Sequence, residues 1–250
     1  MLYICIPAFN EAETAGLVLW RIRKVFESYS REYEVIVLDD GSTDATPQTL
    51  APYADVMPLT VIRNETRKGY AAALDTLARA ATRATRYPRR DAMIFMQADF
   101  TDQPEAIPEL VKRFEGGADL VVGEVTGSAG VPPLPVRRLR RVARWVVRPF
   151  LKLEGVGDPF GTFRLVRVAV VRDLLKARGD APLVAGEGWA ANVELVARAM
   201  QFARRVETAQ FESRYDLRVR ESRVRPLADA MNLLRFGRAW RGRSLTPSLS

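Results

Sequence analysis

The chain has 250 residues, a formal net charge of +8 from 38 Lys and Arg against 30 Asp and Glu, one cysteine and no histidine. The lack of histidine removes the commonest general base and metal ligand, which excludes a Ser-His-Asp triad, a Cys-His nucleophile and His-based zinc hydrolysis. Cys5 alone permits no internal disulfide and fits a reducing compartment.

The length fits one domain with a large core, and 48% of the residues are apolar. No uncharged apolar run reaches the roughly 18 residues of a membrane span. Glu11 and Glu13 interrupt the N-terminus, so no secretory signal is expected.

In chain order, Leu2-Tyr3-Ile4-Cys5-Ile6-Pro7 reads as a short strand, followed by the loop Ala8 to Glu13. Residues 14–29 read as a helix with Leu17, Leu19, Trp20, Ile22, Val25 and Phe26 on its apolar face. A β-branched run over 33–39 stops at Asp39-Asp40-Gly41-Ser42, a Gly turn and helix cap, before a helix over 44–51. A strand over 57–63 leads into Glu65-Thr66-Arg67-Lys68-Gly69. There the glycine lets backbone approach a ligand, and the lysine suits a phosphate oxygen. A helix over 69–84 follows.

Met93-Ile94-Phe95-Met96-Gln97-Ala98-Asp99 is the sharpest signal: a buried strand over 91–97 that stops at a carboxylate, with a helix from 103 to 115. Such a carboxylate lies at the open edge of an α/β sheet, where ligands bind and a hard cation bridges carboxylate to diphosphate. A strand over 119–123 completes an alternation that predicts a mostly parallel, Rossmann-like sheet with helices on both faces. A dinucleotide-type GxGxxG is missing after the first strand, which argues against a nicotinamide enzyme.

The second half reads as mixed. Helices are expected over 137–153, 188–200 and 225–240, a strand over 162–167 and an edge strand over 204–213. Residues 127–135, 155–161 and 214–225 are loops suited to lids. Residues 1–225 form the expected main domain, and 226–250 an amphipathic helix with a tail.

Arg137, Arg138, Arg140, Arg141, Arg144, Arg148 and Lys152 share one acid-free stretch with Leu139, Val142, Trp145, Val146 and Phe150. That composition suits a helix in an anionic membrane interface, ended or kinked at Pro149. Arg214, Arg218, Arg220, Arg223 and Arg225 form a second basic cluster. A nucleic-acid partner ranks below a membrane phosphate, because no nucleic-acid-binding motif appears.

Together Pro7-Ala8-Phe9-Asn10-Glu11, Asp39-Asp40-Gly41-Ser42, Lys68-Gly69, Gln97-Ala98-Asp99 and Asp158-Pro159-Phe160-Gly161-Thr162-Phe163-Arg164 resemble the glycosyltransferases of family 2, which have the GT-A fold. The order and spacing are most similar to the dolichyl- and polyprenyl-phosphate mannosyl- and glucosyltransferases, over about residues 2–225. The resemblance implies an inverting transfer from a GDP- or UDP-hexose to a lipid phosphate. It implies a Mg2+ or Mn2+ cofactor and a peripheral place at the cytoplasmic membrane face, with room for a membrane-anchoring partner.

By the same resemblance Pro7, Phe9, Glu11 and Asp40 line the base and ribose pocket and Lys68 faces the diphosphate. Asp99 holds the metal with Gln97, and Arg164, Arg137, Arg138, Ser222 and Arg223 meet the acceptor phosphate. Gln97 departs from the family's usual Asp, which weakens the metal site or marks a nucleotide-sugar-binding subunit of low activity. A hydroxyl acceptor would instead require a carboxylate base, for which Asp158 and Glu194 are the candidates.

Overall fold

The structure, a computed structural model, describes residues 1–151, 153–217 and 224–240. Seven strands form one sheet: β1 (Leu2–Ala8), β2 (Tyr33–Asp39), β3 (Leu59–Arg63), β4 (Ala92–Phe95), β5 (Leu120–Ala129), β6 (Arg164–Arg167) and β7 (Val206–Arg214). Their order is β3-β2-β1-β4-β6-β5-β7. Every pairing is parallel except those of β6, which runs antiparallel between β4 and β5. The helices are α1 (Ala15–Ser28), α2 (Thr46–Leu50), α3 (Tyr70–Ala84), α4 (Ile107–Glu115), α5 (Leu134–Val147), α6 (Val168–Arg178), α7 (Trp189–Met200) and α8 (Pro226–Trp240).

The unbroken apolar reading of β1 follows from burial on both faces. Leu2, Ile4 and Ile6 pack with Leu19 and Ile22 of α1 and Leu110 of α4. Tyr3 and Cys5 point the other way, into Leu74 and Leu77 of α3 and Leu174 of α6. A third core joins Leu139, Ala143 and Val147 of α5 to Val193 of α7 and Leu233 and Trp240 of α8.

Four expectations change. Leu17 and Trp20 are exposed, and the buried face of α1 is Val18, Leu19, Ile22, Val25 and Phe26. Helix α6 lies where no element was predicted. Strand β5 runs on to Ala129, through part of the expected loop, because it pairs with β7 as far as Arg214. Helix α5 starts at Leu134 and ends at Val147, two residues before Pro149. Its main apolar stripe is consumed by the third core, so the face left for a membrane is narrower than the sequence suggests: Leu134, Val142 and Trp145 among arginines. Helix α8 joins the same body, with Leu233 and Trp240 buried.

Glycine matters at one sheet position. A Cβ at Gly123 of β5 would lie 2.7 Å from the carbonyl oxygen of Phe163, so only glycine lets the chain entering β6 pass this close.

Candidate functional site

The loops after β1 and β2 are stitched together before any ligand is considered. Asn10, in a left-handed conformation at φ 52, donates its backbone N–H to Ser42 Oγ at 2.9 Å and accepts Thr43 N–H on its side chain at 2.9 Å. Glu11 N–H donates to Thr46 Oγ1 at 2.9 Å, and its carboxylate accepts Thr14 Oγ1–H at 3.2 Å. Asp40 is buried and accepts three bonds: Asn64 Nδ2 at 2.8 Å, Lys68 N at 2.9 Å and Gly69 N at 2.8 Å. Its role is thus to fold the Asn64–Gly69 loop beneath the site. Gly41 sits under that loop with φ 72, where a Cβ would come within 2.7 Å of Arg67 N. Phe9 carries the Arg67 guanidinium over its ring at 4.3 Å.

Beyond β4 the chain makes a strained turn. Phe100 is buried with φ 64, a conformation that a bulky residue adopts only when its surroundings force it. The turn brings Asp99 to a cavity of about 850 Å³, and Asp99 accepts Thr101 Oγ1–H at 2.6 Å. Asp102 accepts Gln97 N–H at 2.9 Å, and Gln97 Nε2 donates to Thr162 Oγ1 at 2.8 Å. Tyr70 extends this chain to Thr162 at 3.0 Å and to Asn192 Oδ1 at 2.7 Å. Burial, reinforced by neighbouring Asp99, pushes the Asp102 carboxyl up to about 7, against the pull of the Gln97 amide and Arg164. Burial likewise pushes the Tyr70 phenol up to about 12.

The cavity unites residues distant in sequence. Lys68, Gln97 and Asp99 line it, as expected residues do, and Arg140, Glu187 and Arg225 join them from α5, the loop before α7 and the start of α8. Pro7, near the end of β1, and Phe9, Glu11 and Asp40, on the loops after β1 and β2, do not line this cavity.

Several candidate residues fall elsewhere. Arg137 and Arg138 are exposed on α5 and do not line the cavity, because the face presented to it is that of Val136 and Arg140. Arg164 is fully buried behind the cavity. Its guanidinium donates to the carbonyl oxygens of Thr162 at 3.0 Å, Asn192 at 2.7 Å and Gly161, so it braces two cavity walls and is not presented to a ligand. Loss of solvation brings its pKa down to about 10.

Glu194 is buried too. It accepts Ala185 and Gly186 N–H at 2.9 and 2.8 Å and a bidentate Arg198 at 2.8 and 2.6 Å, which leaves it no capacity to act as a base. Asp158 accepts Phe160 N–H at 3.2 Å, lies 3.4 Å from Arg140 and does not line the cavity. Ser222 and Arg223 lie outside the described residues.

Two residues escaped the sequence reading. Arg140 lines the cavity with a buried Nε that has no hydrogen-bond partner, while its Nη2 lies 3.4 Å from Asp158 Oδ2. It stands one turn beyond Val136, beside the apolar stripe of α5, and that periodicity was its signal. Glu187 sits between Gly186 and Gly188, and this Gly-Glu-Gly before an apolar helix was the available cue.

Among the described residues no cluster of three or more His, Cys, Asp and Glu could hold a metal ion unaided. Asp99 and Gln97 offer one carboxylate and one amide oxygen. That donor set fits a hard cation whose other ligands are diphosphate oxygens and water.

The pattern of the family described as Glycosyl transferase family 2 matches residues 3–175. The chain is 30% identical over 172 residues to a dolichol-phosphate mannosyltransferase of Pyrococcus furiosus, covering 67% of this chain and 46% of that one. It is 29% identical over 174 residues to a prophage bactoprenol glucosyl transferase homolog of Escherichia coli, covering 68% and 53%. The chain thus spans about half the length of the curated relatives it matches. In fold it resembles glucosyl-3-phosphoglycerate synthase from Mycobacterium tuberculosis, solved with Mn2+ and UDP-glucose, with a TM-score of 0.62 and 20% identity over 94% of this chain and 75% of that one. The same enzyme solved with phosphoglyceric acid gives a TM-score of 0.65 at 20% identity, over 100% and 81%. The fold is the GT-A fold.

Proposed function

The chain belongs to glycosyl transferase family 2, and from that premise we propose that it moves a hexose, mannose or glucose, from a nucleoside diphosphate to a polyprenyl or dolichyl phosphate with inversion. One observation carries this reading: Asp99, Lys68 and Arg140 converge on one cavity at the ends of the parallel strands. A carboxylate for a metal stands there with an ammonium for a diphosphate and a guanidinium for a second anion. The names of the Pyrococcus and Escherichia relatives support the sugar and lipid classes.

In this reading Pro7, Phe9, Glu11 and the loop ordered by Asp40 receive base and ribose, GDP or UDP. Lys68 binds the diphosphate. Asp99, with the Gln97 amide oxygen, holds Mg2+ or Mn2+, and the ion supplies neutralisation of the leaving diphosphate. Arg140 aligns the acceptor phosphate, and Arg164 positions the walls at Thr162 and Asn192 that flank it. An acceptor oxygen bonds to the anomeric carbon as the bond from that carbon to the diphosphate breaks. A lipid phosphate with a second pKa of roughly 6 is already ionised near neutrality, so no base is required.

The enzyme works peripherally at the cytoplasmic membrane face. Among the described residues no helix is long and apolar enough to cross a membrane. Exposed Leu134, Val142 and Trp145 share α5 with exposed Arg137, Arg138 and Arg141, which suits an anionic interface, and Leu227 and Met231 are exposed on α8.

Calorimetry with UDP and GDP, each with and without Mn2+, tests the donor half. Metal-enhanced binding of one nucleotide, lost in Asp99→Ala, is expected; binding of neither defeats the reading. Glu187, a carboxylate on the cavity wall, favours a second reading in which a hydroxyl acceptor is deprotonated. If Glu187→Gln removes turnover while nucleotide binding is retained, that reading replaces the first.

A further inference from the structure

One hydrogen-bonded row runs along the cavity wall through four side chains from separate parts of the chain. They are Asn192 of α7, Tyr70 at the start of α3, Thr162 just ahead of β6 and Gln97 just after β4. Asn192 Nδ2 donates to the carbonyl oxygen of Phe160 at 2.8 Å. The Tyr70 hydroxyl lies 2.7 Å from Asn192 Oδ1 and 3.0 Å from Thr162 Oγ1, and Gln97 Nε2 lies 2.8 Å from Thr162 Oγ1.

The direction of every bond in the row follows from its fixed end. A carbonyl oxygen only accepts, so the Phe160 carbonyl takes the Asn192 NH2 and turns Asn192 Oδ1 toward Tyr70. The phenol has one proton and gives it to Asn192, so the Tyr70 oxygen can only accept from Thr162. The Thr162 hydroxyl has one proton too. With that proton spent on Tyr70, Thr162 Oγ1 can only accept, and its donor is the Gln97 NH2. Gln97 Oε1 is the end left for the cavity.

The row is hard to rearrange. Thr162 and Asn192 are buried, and the Arg164 guanidinium holds both backbones, through the carbonyl oxygens of Thr162 at 3.0 Å and Asn192 at 2.7 Å. Gln97 is pinned at its other end, where its backbone N–H donates to Asp102 at 2.9 Å. Burial lifts the Tyr70 phenol to about 12, so its proton stays in place near neutrality.

We propose that Asn192, Tyr70 and Thr162 are positioning residues that fix the Gln97 carboxamide with its oxygen toward the cavity. The consequence rests on the transfer reading above: an uncharged oxygen joins Asp99 as a ligand for the cation. The row also gives a reason for glutamine at this position. A row that ends in an accepting hydroxyl needs a donor there. A carboxylate at 97 could only accept. It would draw the Thr162 proton away from Tyr70 and leave one bond of the row unmade. Glutamine is matched to its neighbours, and an acid in its place is no improvement.

The test starts with the metal-free whole chain. Gln97→Glu, Tyr70→Phe and the double variant form a cycle read by urea unfolding. Gln97→Glu should raise the unfolding constant about fivefold more in the wild-type background than beside Tyr70→Phe, the worth of one hydrogen bond, because the phenylalanine no longer competes for the Thr162 proton. Equal costs in the two backgrounds overturn the proposal. Calorimetry of UDP and GDP binding, with and without Mn2+, is the second arm. Tyr70→Phe and Thr162→Val should each weaken the Mn2+ enhancement about threefold, as the carboxamide divides between two orientations, and leave metal-free binding unchanged. Thr162→Ser, which keeps the hydroxyl, should retain the enhancement. Full enhancement in both Tyr70→Phe and Thr162→Val overturns the role given to the Gln97 oxygen. Coupling in the unfolding cycle, with no nucleotide bound by the wild type, upholds the fixed carboxamide and removes the transfer reading. Mn2+-enhanced binding with equal costs in the cycle does the reverse.

Discussion

In the proposed transfer, the donor side and the acceptor side of the cavity are built by different means. On the donor side, strands β1, β2 and β4 end in short loops whose own carboxylates and hydroxyls fold them: Asp40 gathers Asn64, Lys68 and Gly69, and Asn10 ties to Ser42 and Thr43. On the acceptor side, a buried arginine and a buried ion pair set behind the cavity wall do the holding. Arg164 joins the 161–162 segment to α7, and Glu194 joins α7 to the Ala185–Gly186 loop. A site assembled this way has a donor half rigid by bonds from loop to loop. Its acceptor half depends on the packing of α5, α7 and α8.

That contrast can be broken or sharpened by substitution. The largest effect belongs to Asp99→Ala. Transfer should fall on the order of a thousandfold, with Mn2+-enhanced nucleotide binding lost and the melting temperature little changed; retained metal enhancement would remove Asp99 from the metal site. Next comes Glu194→Ala. It strands Arg198 and two backbone amides and should lower stability by about 3 kcal/mol in urea unfolding. A loss below about 1 kcal/mol would mean that the acceptor half does not depend on this lock.

Arg140→Ala should lower acceptor kcat/KM roughly thirtyfold, as for a charged hydrogen bond of about 2 kcal/mol, and leave donor binding intact. Arg137→Ala, by contrast, should stay near wild type on detergent-solubilised acceptor. Equal effects of the two would contradict the orientation of α5.

A pH test separates the halves most finely. The Asp102 carboxyl is raised in the folded state, so the folded chain holds its proton over a range in which the unfolded chain has lost it. Its contribution is therefore full below the ordinary carboxyl range and is lost as pH rises toward about 7. Asp102→Asn, which keeps an oxygen for the Gln97 amide, should flatten the melting temperature over that window. An unchanged slope would assign it to other groups.

Legibility followed the same division. Strand-ending motifs such as Asp39-Asp40-Gly41 and Gln97-Ala98-Asp99 are local, and the unbroken apolar runs before them placed them at the sheet edge. The GT-A architecture was therefore readable, as was the presence of Lys68 and Asp99 at one site. The arginines were not equally readable, since sequence shows that a guanidinium exists and not what occupies it. Arg164 spends its donors on carbonyl oxygens, and Glu194 is neutralised by a residue four positions on. Arg137 and Arg140 differ only in which side of α5 they take. The apolar stripe of that helix looked fit for a membrane because α8, its partner, lies about ninety residues later in the chain.

Strand β6 carries one more implication. It fills the centre of the sheet between β4 and β5, yet it is the sixth strand to be made. Until residues 164–167 arrive, the four parallel strands from β1 to β4 end in an unpaired edge at Met93, Ile94 and Phe95. A nascent chain at that stage presents an apolar strand edge able to recruit a second chain. Fragments ending before residue 164 should therefore aggregate, and the rate of refolding should be governed by the long closure that inserts β6.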